Sequence, residues 1–388
     1  MESTKVLRTF EDFFSDRGHH RITGSTLLPE PGDPVLFTTS GMHPLTPYLD
    51  GTRRHPHRRL SNRQRCLRTT DLDEVGDTSH LTVFEMLGSW SLGDYTHEQS
   101  LRWGYDLLTN GFGLNRLHVT VFGGNHEVGP DLESERVWSE LGLPVERLVD
   151  DNWWSNGPTG PCGPDSEIFV WTGNTEPEGT PSTDPRWVEV WNHVHMRFHR
   201  YDDGVLRPFT PSNVDTGMGF ERLLMFLQGV DSVYETDQFG PWSQHVRRLW
   251  RPDETSFRIL SDHLRSSIVV IGDGVRPSNT GRGYVLRRLV RRSLTTLRRL
   301  DPTHGLEELP IDLIQHTIDH FGQPDDPGRI RELLLDEERR FRQLLDRGRD
   351  RVLRLHERGP LTESDFTFLR ETHGLPREVV ESVLTESQ

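Results

Sequence analysis

The sequence predicts an α+β protein: an antiparallel sheet flanked by helices over residues 1–240, then a helical domain over 241–388. Strict two-residue alternation before position 240, helical spacing beyond 250 and a glycine-rich strand that runs into a helix at 212–222 lead to this reading. In chain order, Val6, Phe10, Phe13 and Phe14 make an N-terminal amphipathic helix with Lys5 at its start. Residues 173–185 are a polar Pro/Gly-rich loop. The segment Trp187 to Phe198 then alternates as a strand, with Val188, Val190, Val194, Met196 and Phe198 on one apolar face. Gly217 and Gly219 follow Asp215 and precede Arg222, so backbone there can approach a ligand closely beside a planar cation. Leu334, Phe341, Leu345, Val352 and Leu355 form one side of a helix that ends near Gly359-Pro360. No internal repeat is present.

Composition excludes several classes. At 32% apolar residues, with no apolar run near 18, the chain predicts no membrane span, and its N-terminus lacks a signal-peptide pattern. Two cysteines, Cys66 and Cys162, point to a reducing interior, hence the cytoplasm. Lys5 is the only lysine, so a Walker-type phosphate loop, a pyridoxal Schiff base and a lysyl-adenylate are all ruled out. Any nucleotide chemistry must use arginine. A net charge of −15 argues against generic nucleic-acid binding. One basic island stands out, Arg282, Arg287, Arg288, Arg291, Arg292, Arg298 and Arg299, which leaves Val285, Leu289, Leu294 and Leu297 for packing. It is read either as a solvated helix face or as a contact for a polyanion. The chain also contains no alanine. At roughly 8% usage about 30 would be expected, and chance absence has a probability on the order of 10⁻¹³.

The blocks FEDFFSDRGHH (10–20), DPVLFTTSGM (33–42), QRCLR (64–68), FEMLGSWSLGDY (84–95), NGPTGPCGPDSEIF (156–169), VDTGMGFER (214–222) and the stretch 261–293 occur in order. Together they resemble the class II aminoacyl-tRNA synthetases in their alanyl-tRNA synthetase version, over nearly the whole chain. The resemblance implies an ATP- and alanine-binding catalytic domain over 1–240 and a tRNA-recognition-like region over 241–388. It implies ATP and Mg²⁺, with no zinc. Arg68 would hold the α-phosphate and the attacking carboxylate, His80 the distal phosphates, and Arg222 the γ-phosphate beside Gly219. Phe84 would stack on adenine. Asp215 would pair the α-ammonium of alanine, and Trp154, Val194, Met42 and Gly217 would complete a small apolar wall. Glu167 and Asn192 match positions near the site without an assignable role.

Departures from the pattern set the functional expectation. The editing and C-terminal domains of the full family protein have no counterpart in these 388 residues. The segment 69–74 is about four residues shorter than the family's motif 2 loop and lacks its lysine and glycines. Glu371 stands where an acceptor-stem-reading aspartate is usual, while Asn279 matches its partner; Arg287 and Arg288 are further candidates for acceptor contact. His193, His195 and His199 share a strand face with Arg197 where apolar or amide residues are usual. Their spacing is no zinc pattern, so an altered wall of the site is the expectation, with no metal. Ser40, Ser266 and Ser293 stand where the family often has alanine, which suggests a protein that can be translated when alanyl-tRNA is scarce. The leading expectation is alanine activation with transfer to a small-molecule nitrogen, with tRNA(Ala) a weakened partner. The alternatives are a minimal, inhibitor-resistant alanine–tRNA ligase and a non-catalytic regulatory paralogue.

Overall fold

The computed structural model describes residues 1–33, 35–373, 375 and 377–385. Pro34 of the second sequence block, and Gly374 and Pro376 near the C-terminus, lie outside them. The chain divides into two compact units, residues 1–67 with 84–238 and residues 68–83 with 239–388. A single cut near 240 does not describe this division, because the connection 68–83 packs with the helical part.

The first unit is built on nine strands: β1 His20–Arg21, β2 Arg59–Leu67, β3 Val83–Ser91, β4 Leu117–Phe122, β5 Val145–Leu148, β6 Trp153–Ser155, β7 Gly160–Trp171, β8 Trp187–Arg200 and β9 Leu206–Gly219. Their order is β1-β2-β3-β9-β8-β7-β4-β5, with β6 added onto β7. The centre is antiparallel as expected, but β1 pairs with β2 and β4 with β5 in parallel, so the sheet is mixed. Helices α1 Ser3–Ser15, α2 Thr46–Leu49, α3 His97–Asp106, α4 Leu132–Glu140 and α5 Phe220–Gln228 belong to the same unit.

One core joins helices to sheet. Phe10 and Phe14 of α1, Leu101 of α3, Trp138 of α4 and Leu223 of α5 bury against Val119, Ile168 and Trp191. A second, smaller core holds Met42, Leu45, Leu49, Leu60, Trp90, Val194 and Met196. The alternating face of β8 is therefore split. A register shift between Ile168 and Phe169 in the β7–β8 ladder makes a bulge, and Val190 enters the helix-side core beside Trp191, whereas Val194 and Met196 enter the second. A bulge inserts one residue and exchanges the faces beyond it, which simple alternation could not anticipate.

The second unit contains α6 Gly240–Trp250, α7 Glu254–Gly272, α8 Gly281–Leu300, α9 Ile311–His320, α10 Pro327–His356, α11 Glu363–His373 and α12 Arg377–Thr385. Leu334, Phe341, Leu345 and Val352 are buried along α10, as their spacing predicts. The arginine island is largely committed to this interior. Arg287 and Arg291 pair with the buried carboxylate of Glu337 at 3.0 and 2.8 Å. Arg288 pairs with Asp73, and Arg292 donates to the carbonyls of Leu72 and Val75. The island thus anchors the 68–83 connection, so a simple solvated cationic face does not describe it.

Candidate active site

Strand β9 lies between β3 and β8 and presents Asp215, Gly217 and Gly219 on one face, because side chains two apart share a side. Trp90 of β3 and Val194 of β8 sit directly across from Asp215, and Gly88 and Asn192 across from Gly217. Asp215 is buried, and its Oδ1 accepts a 2.6 Å hydrogen bond from the Trp90 indole N–H. Burial pushes its carboxyl up to about 7, with the Trp90 bond pulling the other way. Such a group is poised to gain from an arriving ammonium, which restores its charge in a site from which water is excluded.

The surroundings of Asp215 follow from the second core. Met42, Trp90 and Val194 pack together and Trp154 lies against them, so three of the five alanine-site residues expected from the sequence come together around the indole that bonds Asp215. Gly217 leaves room for Met86: a Cβ there would come within 2.6 Å of its sulfur. Gly88 is stricter. A Cβ at that position would fall 2.1 Å from the Trp90 ring, so the indole occupies the space that the missing side chain leaves.

Beside this pocket lies a group of acids. Asp165 accepts from the amides of Asn152 and Asn192 at 3.2 and 2.9 Å. Burial raises its carboxyl to about 7. Glu167, across the ladder from Asn192, is raised to about 9 by burial and then by the charge of Glu189. Glu189 itself binds Arg222, whose Nη1 lies 3.2 Å from its carboxylate and 3.3 Å from its carbonyl. Arg222 stands in the first turn of α5, three residues after Gly219, and Phe84 is half-buried on β3.

Arg68 and His80 belong to the second unit. Arg68 is exposed and its backbone N–H bonds the Thr82 carbonyl at 3.2 Å. His80 Nδ1 lies 2.5 Å from Asp77. Asp262 of α7 accepts from both the backbone N–H and the hydroxyl of Thr82, which secures the end of this connection. Among the acceptor candidates, Asn279 and Glu371 are exposed; Asn279 Oδ1 accepts from Arg287, and Glu371 pairs with Arg370.

The three strand histidines do not form a wall of the pocket. His193 turns to the helix side and bonds Ser100 of α3 at 3.0 Å. His195 stacks on His97, with ring centroids 4.7 Å apart. His199 lies against Tyr201 near the hairpin end. Alternation along β8 carries 193 and 195 away from Val194, which corrects the altered-wall expectation. Sequence reasoning also missed Trp90, Asp165 and Glu189. The Gly88-Ser89-Trp90 pattern was a signal, but its meaning depends on pairing with β9.

No three histidine, cysteine or acidic side chains converge as a metal cage among the described residues.

Central antiparallel strands that carry a buried acid and run into a helix with an arginine in its first turn are the arrangement expected of a class II aminoacyl-tRNA synthetase. The chain belongs to that family: the tRNA synthetases class II (A) match residues 5–388. It is 41% identical to the alanine–tRNA ligase of Treponema pallidum (strain Nichols), over 97% of this chain and 67% of that protein. It is 38% identical to the alanine–tRNA ligase of Rubrobacter xylanophilus, over 100% of this chain and 47% of that protein. For that of Borrelia hermsii the figures are 37%, 100% and 70%.

Proposed function

We propose that this chain activates alanine with ATP and transfers the alanyl group to tRNA(Ala). The observation that carries the reading is Asp215, a buried carboxylate that accepts from one indole N–H and lies beside the apolar cluster of Met42, Val194 and Trp154. Those apolar neighbours suit a methyl side chain, and the carboxylate would bind the ammonium. The carboxylate of alanine attacks the α-phosphorus of ATP and pyrophosphate leaves; a terminal ribose hydroxyl of the tRNA then attacks the carbonyl and AMP leaves. Proteins catalyse such transfers chiefly by positioning and charge stabilisation. Arg222 supplies one cation, exchanging Glu189 for a distal phosphate, and Gly219 leaves backbone room beside it. The sequence match supports Arg68 for the α-phosphate, His80 for the distal phosphates and Phe84 for adenine stacking. Mg²⁺ would neutralise charge on the phosphates.

The small-molecule acceptor receives no support from the three relatives named above, each an alanine–tRNA ligase by name, and tRNA charging is the better reading. The shortened 69–74 segment and Glu371 then modify the acceptor contact rather than replace the acceptor. No helix among the described residues is long and apolar enough to cross a membrane. The test is alanine-dependent ATP–pyrophosphate exchange together with acid-precipitable charging of tRNA(Ala). Exchange with charging supports the proposal. Exchange driven equally by leucine, or exchange without any charging, refutes the amino-acid or the acceptor assignment respectively.

A further inference from the structure

A cavity of about 520 Å³ opens in the first unit, lined by Tyr48, Arg53, Arg54, His55, Arg58 and Phe209 among others. Asn213 also lines it, two residues before Asp215 on β9, so the cavity adjoins the same sheet face roughly 7 Å nearer the β8–β9 hairpin. Asn213 is fixed by donating to the Leu49 carbonyl at 2.7 Å, and Arg58 by donating to Leu92 at 3.1 Å. No carboxylate lines the cavity, in a chain with 60 acidic and 45 basic residues. Residues 53–59 read RRHPHRR; past the cavity His57 stacks on His20 at 3.8 Å and Arg59 pairs with Asp94.

We infer that this cavity binds the phosphate backbone of a single-stranded RNA segment. Guanidinium forks match phosphate oxygens, while the Tyr48 and Phe209 rings offer stacking surfaces for a base. Three arginines, Arg53, Arg54 and Arg58, line the cavity, enough to meet more than one phosphate, which favours a strand over a lone nucleotide. The assignment rests on RNA being the acceptor, but binding and charging are separable. Arg53→Glu/Arg54→Glu is compared with the unaltered protein for anisotropy binding of tRNA(Ala) across a salt series, with alanine-dependent exchange as the check on folding. The expected result is unchanged exchange, at least tenfold weaker RNA binding and a salt slope shallower by about 1.4, near 0.7 per lost contact. An unchanged affinity and slope overturns the site. Full displacement of RNA from the unaltered protein by inorganic triphosphate at equal phosphate concentration also overturns it, assigning the cavity to a small polyphosphate. RNA binding that depends on these arginines without any charging leaves the site standing and sinks the acceptor proposal instead.

The missing alanine carries a second inference. Buried small positions on helices hold hydroxyl residues that bond the carbonyl four residues back: Ser267 to His263 at 2.6 Å, Ser293 to Leu289 at 3.0 Å and Thr317 to Leu313 at 2.9 Å. Alanine is smaller than each and is the best helix former, so the fold does not exclude it. We propose that the exclusion acts at synthesis: a chain without alanine is made without consuming its own product, and continues to be made when alanyl-tRNA is depleted. Ser267→Ala/Ser293→Ala tests this in a host whose own alanine–tRNA ligase is switched off after induction. The variant is expected to keep its melting temperature within about 3 °C, while its accumulation and the host's recovery fall at least tenfold. A loss of more than about 10 °C would mean that the fold excludes alanine. Equal recovery with both forms, or recovery with neither, would overturn the proposal. Charging in vitro separates the last outcome from failure of the acceptor reading.

Discussion

Replacing Asp215 with asparagine separates charge from shape at the centre of the site. In the unliganded protein burial raises this carboxyl to about 7, against an ordinary 3.8. A displacement of that size corresponds to about 4 kcal/mol for holding the ionised group, at 1.36 kcal/mol per pKa unit. A carboxyl whose folded pKa is raised lowers stability wherever both states are ionised. The cost is therefore complete above pH 7 and fades as pH falls from 7 towards 4. Asparagine retains the volume and, through its Oδ1, the acceptor for the Trp90 indole, although a neutral acceptor bonds less strongly. A net gain of about 2 kcal/mol is expected at pH 8, raising the melting temperature by roughly 4–8 °C. Alanine binding moves the opposite way. Loss of one partner from a desolvated charge pair costs roughly 2–5 kcal/mol, about 30- to 5,000-fold in the alanine requirement. The ATP requirement should stay within about threefold. Thermal scanning and pyrophosphate exchange at varied alanine and ATP measure all three quantities. A lower melting temperature with both requirements rising together would refute the argument and make Asp215 a framework residue.

Other perturbations test the surroundings. Gly88→Ala forces a Cβ to within 2.1 Å of the Trp90 ring, so a loss of about 1–3 kcal/mol and a raised alanine requirement are expected; wild-type exchange would show that the indole is free to move. Acid should weaken the helix-side core, because burial lowers His97 and His193 to about 3 and His195 to about 2. These rings protonate in the unfolded chain below 6.5 and stay neutral in the fold, so each removes about 2 kcal/mol between pH 7.5 and 5, against an opposite gain from Asp165 and Asp215. His195→Gln should flatten that loss by the same amount in denaturant titrations, and parallel curves for variant and parent would show that the ring is not buried. Glu337→Ala leaves Arg287 and Arg291 without their shared carboxylate, at a cost of roughly 3–5 kcal/mol; near-neutral stability would mean that these arginines find solvent.

Residue order alone carried much of this protein. The strand alternation at 187–198, the α10 spacing and the 214–222 block were legible because each is a local period or a contiguous motif. Asp215, Gly217, Gly219 and Arg222 lie within eight positions, so one strand–helix turn places them whatever surrounds it. The remainder depended on partners remote in sequence. Trp90 reaches Asp215 only because β3 pairs with β9, 125 residues later. One bulge between β7 and β8 decides that Val190 joins the helix side, and pairing turns His193 and His195 towards α3 instead of the pocket. The arginine island looked like a solvent or polyanion face because sequence shows charge without showing Glu337, 46 residues away, buried beneath it. Local periodicity names the faces an element has; which face meets an active site and which meets a core is settled by strand pairing and desolvation, and those exist only once the chain has folded.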